Sequence, residues 1–559
     1  MNRGTRTFLA VVAAVSLAAP LPARKKPPEG APKLVVLLVV DQMRADYITR
    51  YGQQWKHGLR RLLAEGAWFS EAAYPYLNTV TCAGHATIST GTYPSAHGMV
   101  LNAWWDRGLR KTISCTDDAS SPLVGYGDSV RGNASIRHLK ARTFADYLIQ
   151  QEWNKKSRVV SYSMKARSAI MLGGRDPDAV TWFDDRKGVW VTSRAYTLAG
   201  VPFVHRFARQ NPVKRDWGKT WIRLLPESAY LYRDDDPAEL PGGMTASFPH
   251  RLTGNGKPDE AFYDQWRTSP FADSYLGEMA RDAVDRLKLG QREFTDLLAI
   301  SFSALDSVGH EFGPRSHEVQ DVLARLDLTI GELLDHLDSK VGAPNYVVAL
   351  SADHGVATLP EHIREGGGDA GRFTNQEVHA RAEDAIRRHF GPGKYITRAL
   401  YTDLYLEPEV FERLAANPEA MKAVLEAVGS ASGVQRVFRR DELAGKETSE
   451  DPMERAAALS HFPGRSGDLI LVPRANWFIA GNVADHSTTH GTANWYDARV
   501  PVILYGAGIR AGKYGSAASP ADMAPTLAVL CRFTLPGVNG RVLSEALLSH
   551  ATAGNGRQP

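Results

Sequence analysis

Cysteine is nearly absent from this 559-residue chain: Cys82, Cys115 and Cys531 are all there is. Three cysteines leave at least one without an intrachain partner, which excludes a small disulfide-stapled scaffold. A single bridge can form if the chain is exported, and spacing does not choose the pair. An excess of one charge is missing as well. The 66 Lys+Arg and 62 Asp+Glu leave a formal +4. No basic block interleaved with aromatics occurs, so nothing points to nucleic acid. No internal repeat is visible. What is there is ordinary: 43% hydrophobic and 23% charged residues, enough for a sizeable core. The length suits two to four domains, or one large α/β domain carrying insertions.

Membrane-length apolar runs are lacking too. Arg3 and Arg6 precede an almost wholly apolar stretch from Phe8 to Ala19, and Ala23 precedes Arg24-Lys25-Lys26. That is the layout of a cleaved secretory signal. About 12 apolar residues followed by Pro20 and Pro22 are too few to span a bilayer, and no cysteine follows to take a lipid. We expect residues 1–23 to be a signal peptide removed near Ala23. Two arginines and no acid would go with it, lowering the charge from +4 to +2. The expected mature chain, 24–559, is periplasmic or secreted with no membrane anchor.

Beyond a Pro-rich linker, residues 34–40 form a continuous Val/Leu run, the pattern of a strand buried on both faces of a parallel sheet. Further strands are predicted over 158–163, 296–303, 346–351 and 500–505. Helices are predicted over 58–65, 141–153, 275–289, 318–337, 376–389, 409–428 and 521–530, and residues 80–90 pass from extended chain into a short helix. Residues 185–270 show no clear period and read as an irregular insertion. Residues 360–485 read as a second insertion, with short strands over 434–438 and 468–472. Alternating strands and helices predict a doubly wound, mostly parallel α/β sheet with helices on both faces, its ligands at the carboxyl ends of the strands.

The chemistry sits just past those strand ends. Asp41 follows the first strand. Asp306 and His310 lie in Leu305-Asp306-Ser307-Val308-Gly309-His310, Asp353 and His354 in Ser351-Ala352-Asp353-His354-Gly355, and His490 in Thr489-His490-Gly491. Mixed carboxylate and imidazole ligands suit Zn²⁺, with Mn or Co able to use the same set. Asp234-Asp235-Asp236 reads as a solvated loop.

Asn78-Thr79-Val80-Thr81-Cys82-Ala83-Gly84-His85, then Thr90-Gly91 and Pro94-Ser95-Ala96-His97-Gly98-Met99-Val100-Leu101-Asn102, resembles the alkaline phosphatase superfamily. The similarity is to its nucleotide pyrophosphatase/phosphodiesterase branch and extends to Pro520-Ala521-Asp522-Met523. The resemblance implies an alkaline phosphatase-like fold and a nucleophile at Thr81, four residues before His85. Thr79 is then a structural hydroxyl. It also implies two zinc ions per subunit, one held by Asp41, Thr81, Asp353 and His354, the other by Asp306, His310 and His490. Two such cations can clamp both ends of an in-line displacement. Sulfatases of the superfamily use a modified cysteine with Pro two and Arg four residues later; Gly84 and Ala86 stand there, so Cys82 is expected to be a packed thiol.

Substrate choice rests on Lys165 and Arg167. Read as extended chain they share a side and can grip the third oxygen of a dianionic monoester beside Asn102. Phosphate-irrepressible alkaline phosphatases of this branch carry such a Lys-x-Arg. The resemblance therefore implies a broad phosphomonoesterase working through a phosphothreonine, with small phosphate esters and inorganic phosphate as its ligands. Secondary phosphodiesterase activity is expected as well, because the zinc core is shared across the branch; a phosphodiesterase/nucleotide pyrophosphatase is the alternative. A binding module that has lost catalysis would lack a ligand or the nucleophile, and all are present.

Overall fold

The computed structural model describes residues 28–126, 129–239, 241–480 and 488–548. The expected signal peptide lies outside them. Ten strands form the central sheet: β1 (Leu34–Val40), β2 (Ala67–Phe69), β3 (Leu123–Gly125), β4 (Val159–Ser163), β5 (Ala179–Asp184), β6 (Val189–Ser193), β7 (Asp296–Phe302), β8 (Tyr346–Ser351), β9 (Val502–Gly506) and β10 (Gly512–Tyr514). Their order is β10-β2-β9-β8-β1-β7-β4-β5-β6-β3. The central five, β8-β1-β7-β4-β5, are parallel; β9 and β6 flank them antiparallel.

All seven residues of β1 are buried, and alternate ones serve opposite cores. Leu34, Val36, Leu38 and Val40 pack with helices α1 (Gly58–Glu65), α5 (Pro270–Leu287) and α7 (His317–Lys340). Val35, Leu37 and Val39 pack with α2 (Thr81–Thr90), α3 (Phe144–Gln150) and α8 (Met523–Leu530). The sheet is thus covered on both sides, the physical reason its middle strands contain unbroken apolar runs. Two further helices, α4 (Ala166–Gly173) and α6 (Ala304–Phe312), start at the carboxyl ends of β4 and β7.

The structure corrects two local expectations. The 185–270 stretch is not irregular throughout: it supplies β6 and the helices Pro202–Gln210 and Glu260–Arg267. The helix expected over 409–428 is two, Val410–Ala415 and Pro418–Gly429. Pro418 lacks the N–H to continue a helix but suits the first turn of a new one, and Asn417 caps it by accepting from Ala420 N–H. A separate antiparallel sheet of Ile396–Leu400, Asp403–Leu406, Leu469–Pro473 and Val434–Arg439 has its own apolar cluster, under the helices Asn375–Phe390 and Pro418–Gly429. Among the described residues no helix is long and apolar enough to cross a membrane.

Candidate active site

Strand register assembles the site. Val40 of β1 lies beside Phe302 of β7, and Val39 lies beside Ser351 of β8. Asp41, Ser303 and Asp353 therefore leave the sheet in one row. Ser163 of β4 pairs with Ser301, which brings Lys165 to the same level. Beyond Ser303, α6 carries Asp306 and His310, four residues apart and hence on one face. Asp273 of α5 holds the start of α6, accepting the N–H groups of Ser303 at 3.0 Å and Ala304 at 3.2 Å. On the other side, extended Val80 gives way to α2, which puts Thr81 in the first turn of that helix.

Three imidazoles converge in one orientation. Each ring presents Nδ1 to a backbone carbonyl: His310 to Thr488 (2.9 Å), His354 to Gly355 (2.9 Å) and His490 to Thr79 (2.9 Å). With Nδ1 donating, Nε2 is left as the acceptor that a metal requires. The Nε2 atoms meet carboxylates: His310 to Asp306 at 3.3 Å, His490 to Asp306 at 3.9 Å, His354 to Asp353 at 3.3 Å and to Asp41 at 3.6 Å. The rings of His354 and His490 stack 3.5 Å apart. Thr81 Oγ1 is 3.4 Å from His354 Nε2.

The electrostatics of these groups follow from burial and from each other. Burial, with Asp306 and Asp353 beside it, pushes the Asp41 carboxyl well above its usual range against the pull of Lys165. Burial acts likewise on Asp306, but Lys165, His310 and His490 outweigh it and hold that carboxyl well below. Burial drives His490 well below the usual imidazole range, and His354 and His310 add to the effect. Lys165 Nζ bonds Asp41 Oδ2 at 2.7 Å and also Asp306 Oδ2, one ammonium against three buried carboxylates.

This donor set fits divalent cations. Ligand atoms of Asp306, His310 and His490 lie within 4.8 Å of one another, as do those of Asp41, Asp306 and His354. Buried Asp41 Oδ1 accepts no hydrogen bond. Asp306 belongs to both groups, and Asp353 adjoins the second through His354.

The sequence-predicted residues thus gather around Thr81, but two local readings change. Cys82 is not a packed thiol: it is bonded to Cys115, and Cys531 is the free, buried cysteine. Lys165 and Arg167 do not alternate in extended chain. The helix α4 begins between them, at Ala166, with Lys165 as its N-cap residue and Arg167 in its first turn. Arg167 Nε is buried and bears no hydrogen bond. Asn102 Oδ1 accepts from Cys82 N–H at 2.8 Å. Asp234-Asp235-Asp236 is also more than a solvated loop, for Asp236 bonds His362 at 2.7 Å and Asp234 pairs with Arg223 and His317.

Three contributors escaped the sequence reading. Gln42, at φ 70°, donates its N–H to Asp353 Oδ1 (3.1 Å) and its amide to Asp306 Oδ1 (3.0 Å). His85 presents Nδ1 to Thr81 O at 2.8 Å and Nε2 to Ser301 Oγ at 2.8 Å. The third is Asp273. Gln42 directly follows Asp41 and His85 stands inside the Thr81 motif, yet only the folded geometry shows what they touch; Asp273 lies in the first turn of α5, ahead of the predicted helix 275–289, with no local mark.

Comparison with known proteins identifies the family and the fold. The family model for type I phosphodiesterase / nucleotide pyrophosphatase matches residues 35–495. Alkaline phosphatase PafA of Elizabethkingia meningoseptica is 32% identical over 523 residues, covering 92% of this chain and 94% of that protein. Alkaline phosphatase PhoK of a Sphingomonas species is 32% identical over 534 residues, with 92% and 91% covered. The crystal structure of wild-type PafA superposes with a TM-score of 0.83 at 30% identity, over 93% of this chain and 99% of that one. A sheet whose strand ends present this set of acids and imidazoles to a threonine, matched over nearly its whole length, places the chain in the type I phosphodiesterase / nucleotide pyrophosphatase family of the alkaline phosphatase superfamily.

Proposed function

We propose that this protein is an alkaline phosphatase, hydrolysing phosphate monoesters through a covalent phosphothreonine at Thr81. The observation that carries the reading is the placement of Thr81 against three buried carboxylates and three imidazoles whose Nε2 atoms face inward, with Lys165 and Arg167 beside them. The relatives named above, alkaline phosphatases at about a third identity over most of their length, support the same activity.

Two divalent metals, zinc by the mixture of nitrogen and oxygen donors, fit Asp41, Thr81, Asp353 and His354 on one side and Asp306, His310 and His490 on the other. Bound metal would supply Lewis-acid activation of the hydroxyl and neutralisation of charge on the departing oxygen. The chain's own groups do the rest. Thr81 Oγ1 gives up its proton and forms a bond to phosphorus as the ester P–O bond breaks, the ester oxygen leaving with the electron pair and taking up a proton to depart as the alcohol. Water then attacks phosphorus, the bond to Thr81 breaks, the hydroxyl regains its proton and inorganic phosphate departs. Placement in the first turn of α2 stabilises negative charge on Thr81 through the helix dipole. Gln42 fixes the carboxylates of Asp306 and Asp353, and His85 braces the Thr81 carbonyl.

Monoester preference follows from the donors around the phosphoryl oxygens, where charge gathers in a loose transition state. Asn102 spends its oxygen on Cys82 N–H and has its Nδ2 donors left over; Arg167 adds a planar fork and Lys165 a point charge. A diester is the poorer fit because it has one non-bridging oxygen fewer to fill those donors. Export to an oxidising compartment, periplasmic or extracellular, suits the Cys82–Cys115 bridge.

Metal analysis combined with turnover of an aryl phosphate and an aryl phosphodiester tests this reading. Two zinc ions per chain and a higher kcat/KM on the monoester are expected. A higher value on the diester would replace it with a phosphodiesterase.

A further inference from the structure

The two cysteines that spacing could not pair meet at the nucleophile. Cys82 is the residue after Thr81, and Cys115 immediately follows the strand Lys111–Ser114. Both are fully buried, in the apolar cluster that also holds Met99, Trp104 and Ile113. Asn102 lies at the foot of the hairpin that joins them, next to Ala103, which pairs with Ser114.

Asn102 is gripped at two points. Its side-chain Oδ1 accepts from Cys82 N–H at 2.8 Å, and its carbonyl accepts from Cys115 N–H at 2.9 Å. The disulfide closes these two hydrogen bonds into a ring: Cys82 to the Asn102 side chain, the Asn102 backbone to Cys115, and Cys115 back to Cys82 through sulfur. Engaging Oδ1 also fixes which way the amide faces, since only Nδ2 is then free to donate.

The body of the hairpin, Ala103–Asp106 with Lys111–Ser114, is anchored by buried Trp104 and Ile113 and by Arg107, which donates to Gly464 O, Ser466 O and Asp468 Oδ1. Those anchors set its outer part; at its foot, Asn102 is tied to the nucleophile's helix by the Cys82 N–H bond, and the disulfide spans the same two segments. Motion at its foot would carry the Asn102 amide relative to Thr81, and a misplacement of about 1 Å at such a donor can cost roughly 100-fold in rate.

We propose that the Cys82–Cys115 disulfide is a positioning element for catalysis: it ties the foot of the hairpin to the start of the nucleophile's helix and presets the Asn102 amide against the phosphoryl oxygen. The proposal rests on Asn102 being an oxygen-binding residue, as inferred above. Cys82 and Cys115 touch neither substrate nor metal in this scheme and act only through Asn102.

That restriction makes the test a double-mutant cycle. The zinc-loaded wild type, Asn102→Ala, the pair Cys82→Ala/Cys115→Ala and the triple variant are compared in kcat and KM for an aryl phosphate, with zinc content measured alongside. The paired variant should lose roughly 10- to 100-fold in kcat/KM at unchanged zinc content. In the Asn102→Ala background the same pair should change kcat/KM by no more than about twofold, because the clamp has nothing left to position. Additive losses, or a paired variant with wild-type kinetics, overturn the proposal. Wild-type kinetics in Asn102→Ala itself would instead remove the oxygen-binding role of Asn102, a distinct failure. If the paired variant folds poorly, the unsubstituted chain prepared with both thiols reduced, and its thiols counted in denaturant, makes the comparison. Low kcat/KM that recovers on oxidation supports the clamp, and kcat/KM indifferent to oxidation state overturns it.

Discussion

Lys165 Nζ sits between Asp41 and Asp306; burial opposes its charge, but the two carboxylates outweigh burial and the nearby Arg167 and hold its affinity for a proton above the usual lysine range. Replacing either by Ala is expected to lower kcat/KM on an aryl phosphate by roughly 100- to 1000-fold, the cost of one oxyanion donor, and to spare the diester by comparison. Equal losses on both substrates would deny them the third-oxygen role. Thr81→Ala should keep its metal while losing the acid-stable phosphoenzyme, read by mass spectrometry after an acid quench; phosphate found on Thr79 would move the nucleophile. Thr79 has another task, since its hydroxyl donates to Thr492 O at 2.7 Å and its carbonyl orients His490. Away from the site, burial first and then Glu318 and Asp236 push the Glu239 carboxyl up to about 10. A carboxyl raised in the folded state favours folding at low pH, and that contribution is lost as pH climbs from the unfolded value near 4.5 toward 10. Glu239→Gln should therefore gain thermal stability over wild type by an amount that grows between pH 5 and pH 9; a gain independent of pH would show that Glu239 ionises normally. The metal-ligand candidates were legible residue by residue because each stands one to a few positions beyond an apolar strand or in a His-Gly turn. Cys82 was not, because its partner is 33 residues away and reaches it only when the hairpin folds back.

At the scale of elements, the site depends on close approach between α2 and the turn after β8. A Cβ on Gly84 would lie 2.2 Å from the Asp353 carbonyl oxygen and 2.7 Å from its Cα, both backbone atoms that cannot swing away. Gly84→Ala should consequently displace Asp353 and His354, with zinc affinity and Tm falling together; normal zinc content at wild-type Tm would show that the turn can move. Asp273 tests another junction. Asp273→Ala leaves the first N–H groups of α6 without their acceptor, a loss of about 1–2 kcal/mol by analogy with helix caps, and should loosen Asp306 and His310. We expect zinc affinity to drop roughly 10- to 100-fold, as for other groups that orient ligands, measured by competition with a chelating dye. Periodicity revealed most of these elements but not where they break. Pro418 divides one predicted helix into two, and α4 starts at Ala166 although Lys165 and Arg167 looked like alternating residues of an extended strand end. Hydrophobic period reports which face is buried, whereas a helix start depends on what its free N–H groups meet.

For the whole molecule, a centre that sets buried Asp41, Asp306 and Asp353 against Lys165 is expected to couple folding to metal. Chelation should abolish turnover and lower Tm, and zinc should restore both, because binding to the native state alone adds about 2.7 kcal/mol when free metal exceeds Kd 100-fold. An unchanged Tm after complete metal removal would mean the acids are satisfied without it. The amino-acid sequence by itself determined the alternating α/β pattern, the double burial of β1, the strand-end acids and the motif around Thr81, since each is a local property of adjacent residues. Tertiary structure alone decided the row formed by Asp41, Asp353 and Lys165, the inward turn of the His310 and His490 Nε2 atoms by the carbonyls of Thr488 and Thr79, and the union of Cys82 with Cys115 around Asn102. Those depend on strand register and on carbonyls far apart in the chain. No local spacing encodes which distant backbone group will meet a given side chain.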